Sequence, residues 1–427
     1  MKKRSTVPWG ESRGARALLI ALSLLATTAL GGNRARPGGT LQVALVSPAA
    51  AVDPLTADAP VDTLRLLLTH QLLCRLVDIS HPTATTLRLT TPPSVDPKLV
   101  TEALNRVSTS TTPVRALLAT AGNVTIKDRA VELQLKQATP DLERILCHPA
   151  FSIPLGTFKA KGTKLEAFED QPTGRPHLDA VVLQTSDART VERWFAQRRV
   201  HLVAGAATTE DVTQLFVTAL VAGPGLAPPL KTAIDSSVDR ADLARFFVTA
   251  PAGALHSLLP ASLGGPTSAT APARPAPLPV PREVTLFFDE EALHERNIAQ
   301  RLQVKLQPLG YRIALKPVPR AQLRSRAAGE NELVIHSFAL PPSTLGTLLV
   351  WLELGGQRAR IPAVVQQVAA AADPEGKARE LAAQLTAELS VIPLVTRGLG
   401  VTASKDVQHL TRDVLGLPRL DDVSLAE

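Results

Sequence analysis

The sequence predicts an α/β protein built as two blocks of similar grammar, and three observations carry that prediction. Short apolar runs of strand length alternate with amphipathic stretches of helical period, the pattern of mixed sheets covered by helices. A proline-rich stretch divides the series in two. The 427 residues, 45% hydrophobic and 20% charged, are enough for more than one buried core, and no internal repeat points to a solenoid.

Residues 40–46 (TLQVALV) read as a buried strand, followed by a loop and a helix over about 60–77. A helix near 96–107 comes next, then strands 123–127 and 130–135 around the hairpin signal Asp128-Arg129. Residues 140–146 read as a helix whose acidic Asp141 and Glu143 suit the positive end of its dipole. Residues 178–183 form a strand, 187–197 a helix with Asp187 at its N-cap, and 200–204 another strand. Six prolines then fall between Gly264 and Arg282, too many for a core element. The second block begins with strand 283–288 and a helix over about 290–308, where Ala299, Leu302, Leu306 and Leu309 make a stripe that faces a sheet. Strand 312–317, a short helix near 322–328 and strand 332–336 follow, then helices around 343–352, 362–372 and 374–389. A strand over 391–396 ends the series.

At the N-terminus, Lys2, Lys3, Arg4, Arg13 and Arg16 stand against Glu11 alone, and an apolar run fills 17–30. This is the layout of a secretory signal. The run of 14 residues spans about 21 Å as a helix, short of a hydrocarbon core of about 30 Å. Ala29 and Gly31 suit signal peptidase, with cleavage before Gly32, and no cysteine follows to carry a lipid. A periplasmic location is the expectation. Removing 1–31 takes five positive charges and one negative, so the formal charge of +7 falls to +3 and most of the basicity belongs to export. An oxidising compartment would permit a disulfide between the two cysteines, Cys74 and Cys147. Their neighbours Leu72, Leu73, Ile145 and Leu146 favour instead two separate buried thiols packing as small hydrophobes.

Little in the sequence argues for catalysis. The nine histidines are scattered without HxxxH spacing and CxxC is absent, so no metal site is expected. Neither a P-loop nor GxGxxG occurs, and no cofactor is expected. The GxSxG match at 10–14 lies inside the signal, away from any strand-turn-helix setting. The adjacent acids Glu290-Glu291 and Asp421-Asp422 read as solvated faces. Basic clusters at 193–199 and 320–326 could suggest nucleic acid, but the first belongs to an amphipathic helix whose Val191, Trp194 and Phe195 face the core. Nucleic-acid binding is not expected.

Several segments, in order, resemble the family 5 extracellular solute-binding proteins of ABC importers, the group of oligopeptide-, dipeptide- and nickel-binding proteins. They are Gly38-Gly39-Thr40-Leu41 entering QVALV, Val52-Asp53-Pro54, the helix end QLLCRLV, VDPKLVTEALNRV at 95–107, and PHLDAVV at 176–182. LKTAIDSSVDRADLARF at 230–246 is similar to the family's "vRqAlnyAiDRealvk", and the segment opening EVTLFF at 283 is similar to its second-lobe strand and helix. The resemblance ends at 373–395, with a last helix and the Ile392-Pro393-Leu394 strand. It implies a two-lobed periplasmic-binding-protein fold of type II, the large class with an extra subdomain, each lobe a mixed sheet covered by helices. The implied domains are a first lobe over 38–214, a second over 215–390 with its proline-rich linker at 264–282, and a return to the first lobe over 391–427.

The implied function is binding of a peptide-like small solute between the lobes and its delivery, by a monomer, to an ABC permease in the inner membrane. The implied cleft residues are Ser47, Asp53, Gly156, Thr157, Phe158, Ser337 and Phe338. Asp239-Arg240 resembles the family's "DR" pair, where capping and ion pairing are expected. There are departures. Leu87–Pro93 replaces the family's "FhDG", and SFALPP at 337–342 lacks the acid with which peptide binders hold an α-ammonium. A capped, modified or non-peptide solute follows, or a scaffold or sensor that keeps the fold without transport. An exported hydrolase is a third reading, with no triad visible.

Overall fold

The computed structural model describes residues 38–426 except 47–52, 162–163, 209, 211, 250, 270–271 and 274. The signal-like segment 1–31 lies outside the described residues. The run TLQVAL forms strand Thr40–Leu45 and pairs in parallel with Ala180–Thr185 on one side and Leu202–Ala204 on the other. Lys164–Ala167 and Phe158–Lys161 extend one edge of this sheet antiparallel, and Val401–Ala403 closes the other. The helix expected over 60–77 is divided into Pro60–Thr69 and Leu73–Leu76, because Gln71 leaves helical geometry to exchange two backbone hydrogen bonds with Ile153.

That bridge explains a correction. It holds the turn bearing Cys74 beside Leu142–Ile145, which precedes Cys147, and the two cysteines form a disulfide with Cα atoms 5.1 Å apart. Separate thiols are overturned. A four-stranded antiparallel subdomain, in the order Asp78–Thr83, Thr86–Thr90, Ala130–Leu135, Ala121–Lys127, is attached to this lobe. The hairpin at Asp128-Arg129 is made by both residues adopting positive φ, 46° and 61°.

The second lobe has a six-stranded mixed sheet in the order Ala252–Ala254, Val391–Arg397, Phe216–Ala222, Glu332–Ala339, Arg282–Asp289, Tyr311–Val318. Val391–Arg397 pairs with Phe216–Ala222, so the strand expected to return to the first lobe stays in the second, and the chain rejoins the first sheet only at Val401. In Phe216–Ala222 all seven residues are buried. Leu220 and Ala222 face helices Ala227–Ser237, Arg240–Phe247 and Leu293–Leu306, while Ala219 and Val221 face helices Thr344–Leu354 and Pro374–Glu388. The stripe Ala299, Leu302, Leu306 and Leu309 is buried as expected, each 2% exposed or less. Asp187 caps Thr190, and Asp239 caps Ala241 and Asp242, both through backbone N–H groups.

Candidate functional site between the lobes

The chain crosses between the lobes twice, over 205–215 and 398–400, and the crossings touch where the Gly205 N–H donates to the Gly400 carbonyl at 2.9 Å. Gly205 has φ +89°, and a Cβ on Gly400 would collide with the Ala206 carbonyl, so both positions require glycine. Beside these crossings the lobes meet along a charged seam.

The first lobe contributes Asp58, before helix Pro60–Thr69, and Asp62 in its first turn. The second contributes residues from five elements. Asp289 and Arg397 end their strands, His294 and Glu295 open helix Leu293–Leu306, Arg320 and Arg324 bound a short helix, and His336 and Ser337 lie on the central strand Glu332–Ala339. Arg320 donates from Nε to Asp289 at 2.6 Å and reaches Asp62 across the seam at 3.3 Å. Arg324 crosses to Asp58 at 2.8 Å and to the Thr56 carbonyl at 2.6 Å. Arg397 donates from Nη2 to the Asp58 carbonyl at 3.2 Å. Ser337 joins His294 Nε2 at 3.1 Å to Thr218 at 2.9 Å.

Burial governs the protonation of this cluster. It pushes Glu295 up to about 7, against a hydrogen bond from Ser337 and one from the Asp289 N–H. It raises Asp58 despite the Arg324 guanidinium. His294 is held well below the usual histidine range by burial, then by Arg397 and Arg320, and His336 falls to about 4. Both imidazoles are therefore neutral at pH 7, and burial lowers Arg397 to about 10, leaving it charged.

A cavity of about 210 Å³ lies at the seam, lined from the first lobe by Ala59–Asp62 and Gly205 and from the second by Phe247, His294, Asn297, Arg320 and Arg397. A deeper recess of about 30 Å³ adjoins it around Glu295, His336 and Ser337. Beyond Arg324 and His336 a wider opening of about 500 Å³ separates the 111–115 turn from the 324–328 loop.

A second seam is apolar. Helix Thr344–Leu354 (TLGTLLVWLEL), buried from Thr344 through Leu352, packs on the turn Pro113–Leu118 of the first lobe. A Cβ on Gly346 would come within 2.8 Å of Ile145, so the helix approaches closely because this residue has no side chain. Arg115 pairs with Glu353 at 2.7 Å at the margin.

Of the residues named from the sequence, Ser337 lines the deeper recess. Phe338, next along the strand, points to the opposite face and packs edge-on against Trp351, ring centroids 5.0 Å apart. Asp53 is exposed and caps the Leu55 N–H at 2.7 Å. Gly156 is pressed against the backbone of Thr69 and His70, Thr157 borders a small recess near Asp421, and Phe158 is 1% exposed in the core. Ser47 lies outside the described residues.

Sequence reasoning did not single out Asp58, Asp62, His294, Glu295 or Arg397, and it noted Arg320 and Arg324 only as members of the basic cluster at 320–326. The available signal was local. Arg397 ends the apolar run VIPLVT, where a charge must either reach water or serve a purpose.

No protein-family model matches the chain, and no curated protein matches it. Solved structures do. The ABC transporter-associated periplasmic binding protein DppA of Helicobacter pylori, in complex with the peptide STSA, superposes with a TM-score of 0.69 at 14% identity, over 92% of this chain and 99% of that one. NikA of Staphylococcus aureus, in complex with Ni(L-His)2, gives 0.67 at 15% identity over 90% and 99%. The oligopeptide-binding protein AppA of Bacillus subtilis, in complex with a nonapeptide, gives 0.66 at 13% over 92% and 100%. The chain therefore has the two-lobed fold of these substrate-binding proteins across nearly its described length.

Proposed function

We propose that this chain is the exported solute-binding component of an ABC importer: it holds a small solute between its lobes in the periplasm and presents it, as a monomer, to a membrane permease. The observation that carries the reading is the cavity at the chain crossings, which takes polar side chains from both lobes, so a solute seated there would favour the closed arrangement. The fold shared with DppA, NikA and AppA supports it, since those proteins were solved with a peptide, a nickel–histidine complex and a nonapeptide bound. The contact set proposed for the solute is Asp62, His294, Asn297, Ser337 and Arg397. Of the positions inferred by resemblance, Ser337 alone is retained in it. Native mass spectrometry of the mature chain, purified without unfolding, tests the reading. An added mass of one small molecule per chain is expected; a bare chain that also gains no thermal stability from peptides, amino acids or metal chelates would contradict it.

One observation favours a second reading, a scaffold or sensor that keeps the fold without transport. The apolar seam of Thr344–Leu354 on Pro113–Leu118 opposes wide opening. Small-angle scattering with and without solute separates the two, because a transport protein changes its radius of gyration on binding and a fixed scaffold does not.

A further inference from the structure

We propose that Arg397 is a carboxylate receptor, and that the solute is small and carries a single carboxylate held by this guanidinium. The proposal rests on the solute-binding reading above and names the chemistry of that same site.

Arg397 is 6% exposed and lines both the cavity and its deeper recess. Among the described residues its guanidinium makes one hydrogen bond, from Nη2 to the Asp58 carbonyl, its buried Nε has no partner, and no carboxylate forms an ion pair with it. Burying a guanidinium without an anion is costly, and proteins leave such a charge in place where a ligand completes it. The same protein shows the completed case. Arg240, also 6% exposed, donates from Nε to the Pro393 carbonyl at 2.9 Å and from Nη2 to Asp235 at 2.5 Å. Asp58, Asp62 and Asp289 are already engaged by Arg320 and Arg324, and Glu295, the carboxyl that acts most strongly on Arg397 through space, forms no ion pair with it among the described residues and is itself pushed up to about 7 by burial.

Size and charge narrow the class. The cavity of about 210 Å³ falls below the range of about 300–1,000 Å³ typical of drug-sized ligands, so a long peptide does not fit it. Arg320 is paired with Asp62 and Asp289 and Arg324 with Asp58, so among the arginines of this lining Arg397 alone offers an unpaired fork-shaped donor, which suits one carboxylate rather than a phosphate or a polycarboxylate. Phe247, Val248 and Leu399 offer an apolar wall to the rest of the molecule.

The test uses matched probes on the mature chain: L-leucine, L-alanyl-L-alanine and N-acetyl-L-leucine, each against its own carboxamide, by calorimetric titration. In parallel, molecules released by denaturing protein made in rich medium are identified by mass spectrometry. At least one acid is expected to bind at least about 30-fold more tightly than its amide, with Arg397→Gln removing the difference and Arg397→Lys restoring part of it. A released carboxylic acid absent from the Arg397→Gln preparation is the matching result. Wild type, Arg397→Gln and Arg397→Lys are compared at equal folded fraction, so that a loss of stability is not read as a loss of binding. Acid and amide binding alike, or a released solute without a carboxylate, overturns the role of Arg397 and leaves solute binding standing. No probe bound and nothing released overturns both.

Discussion

The two seams between the lobes are built from opposite materials. Along one, helix Thr344–Leu354 is dry and apolar against Pro113–Leu118 and Ile145; along the other, three arginines and a set of carboxylates surround a cavity. The apolar seam gains from burial in proportion to area and tolerates little displacement, because packed surfaces lose contact within a fraction of an ångström. The charged seam binds loosely in comparison, since much of its Coulomb attraction is offset by desolvation. If the lobes move, this contrast predicts rocking on the apolar seam that opens the charged one, with Gly205 and Gly400 at the chain crossings.

The sharpest way to break this comparison is at Trp351, 0% exposed, whose Nε1 donates to the Leu258 carbonyl at 2.6 Å. Trp351→Ala should cost about 5 kcal/mol in urea unfolding, from the cavity and the lost hydrogen bond together; a loss near 1 kcal/mol would mean that Trp351 does not anchor the helix of the apolar seam to the second lobe, where it meets Phe338 and Leu258. Next comes the disulfide. It closes a loop with a sequence separation of 73 and fixes the segment bearing Ile145, so replacing both cysteines by serine should cost about 4 kcal/mol while leaving solute affinity unchanged.

Glu295 sharpens the charged side. Its folded value of about 7 lies above the ordinary 4.5, so the folded state binds the extra proton in that window, and the stability it contributes relative to glutamine is lost as pH rises from 4.5 through 7. Wild type minus Glu295→Gln should fall by up to about 3 kcal/mol between pH 4.5 and 8, measured by thermal unfolding of both proteins. His148 and His336, both lowered to about 4, act in the opposite sense between pH 4 and 6.5 and cancel in the difference. The smallest effect belongs to Arg324→Ala, about 1–2 kcal/mol, accompanied by a larger radius of gyration in small-angle scattering because the links to Asp58 and Thr56 are gone. An unchanged radius would place the hold elsewhere.

Local chemistry made much of the fold legible. The stripe on Leu293–Leu306, the Asp187 cap and the Asp128-Arg129 turn each depend on neighbours within a few residues, and each was readable. Phe216–Ala222 passed unnoticed because a strand buried on both faces has no polar alternation to announce it. Its pairing also decides that Val391–Arg397 belongs to the second lobe, which no local pattern reveals. The disulfide needed the Gln71–Ile153 bridge, and the charged seam needed positions 58, 62, 295, 320, 324 and 397 to converge from separate segments. Ser337 was named by resemblance and lines the deeper recess, whereas no motif marked the arginines of the seam.

A crystal structure of the chain as purified tests the central claim most directly. A small molecule should occupy the cavity beside Ala59–Asp62, with two oxygens facing Arg397 Nε and both lobes in contact with it. An empty cavity, with Arg397 satisfied by a side chain of the protein itself, would contradict the account.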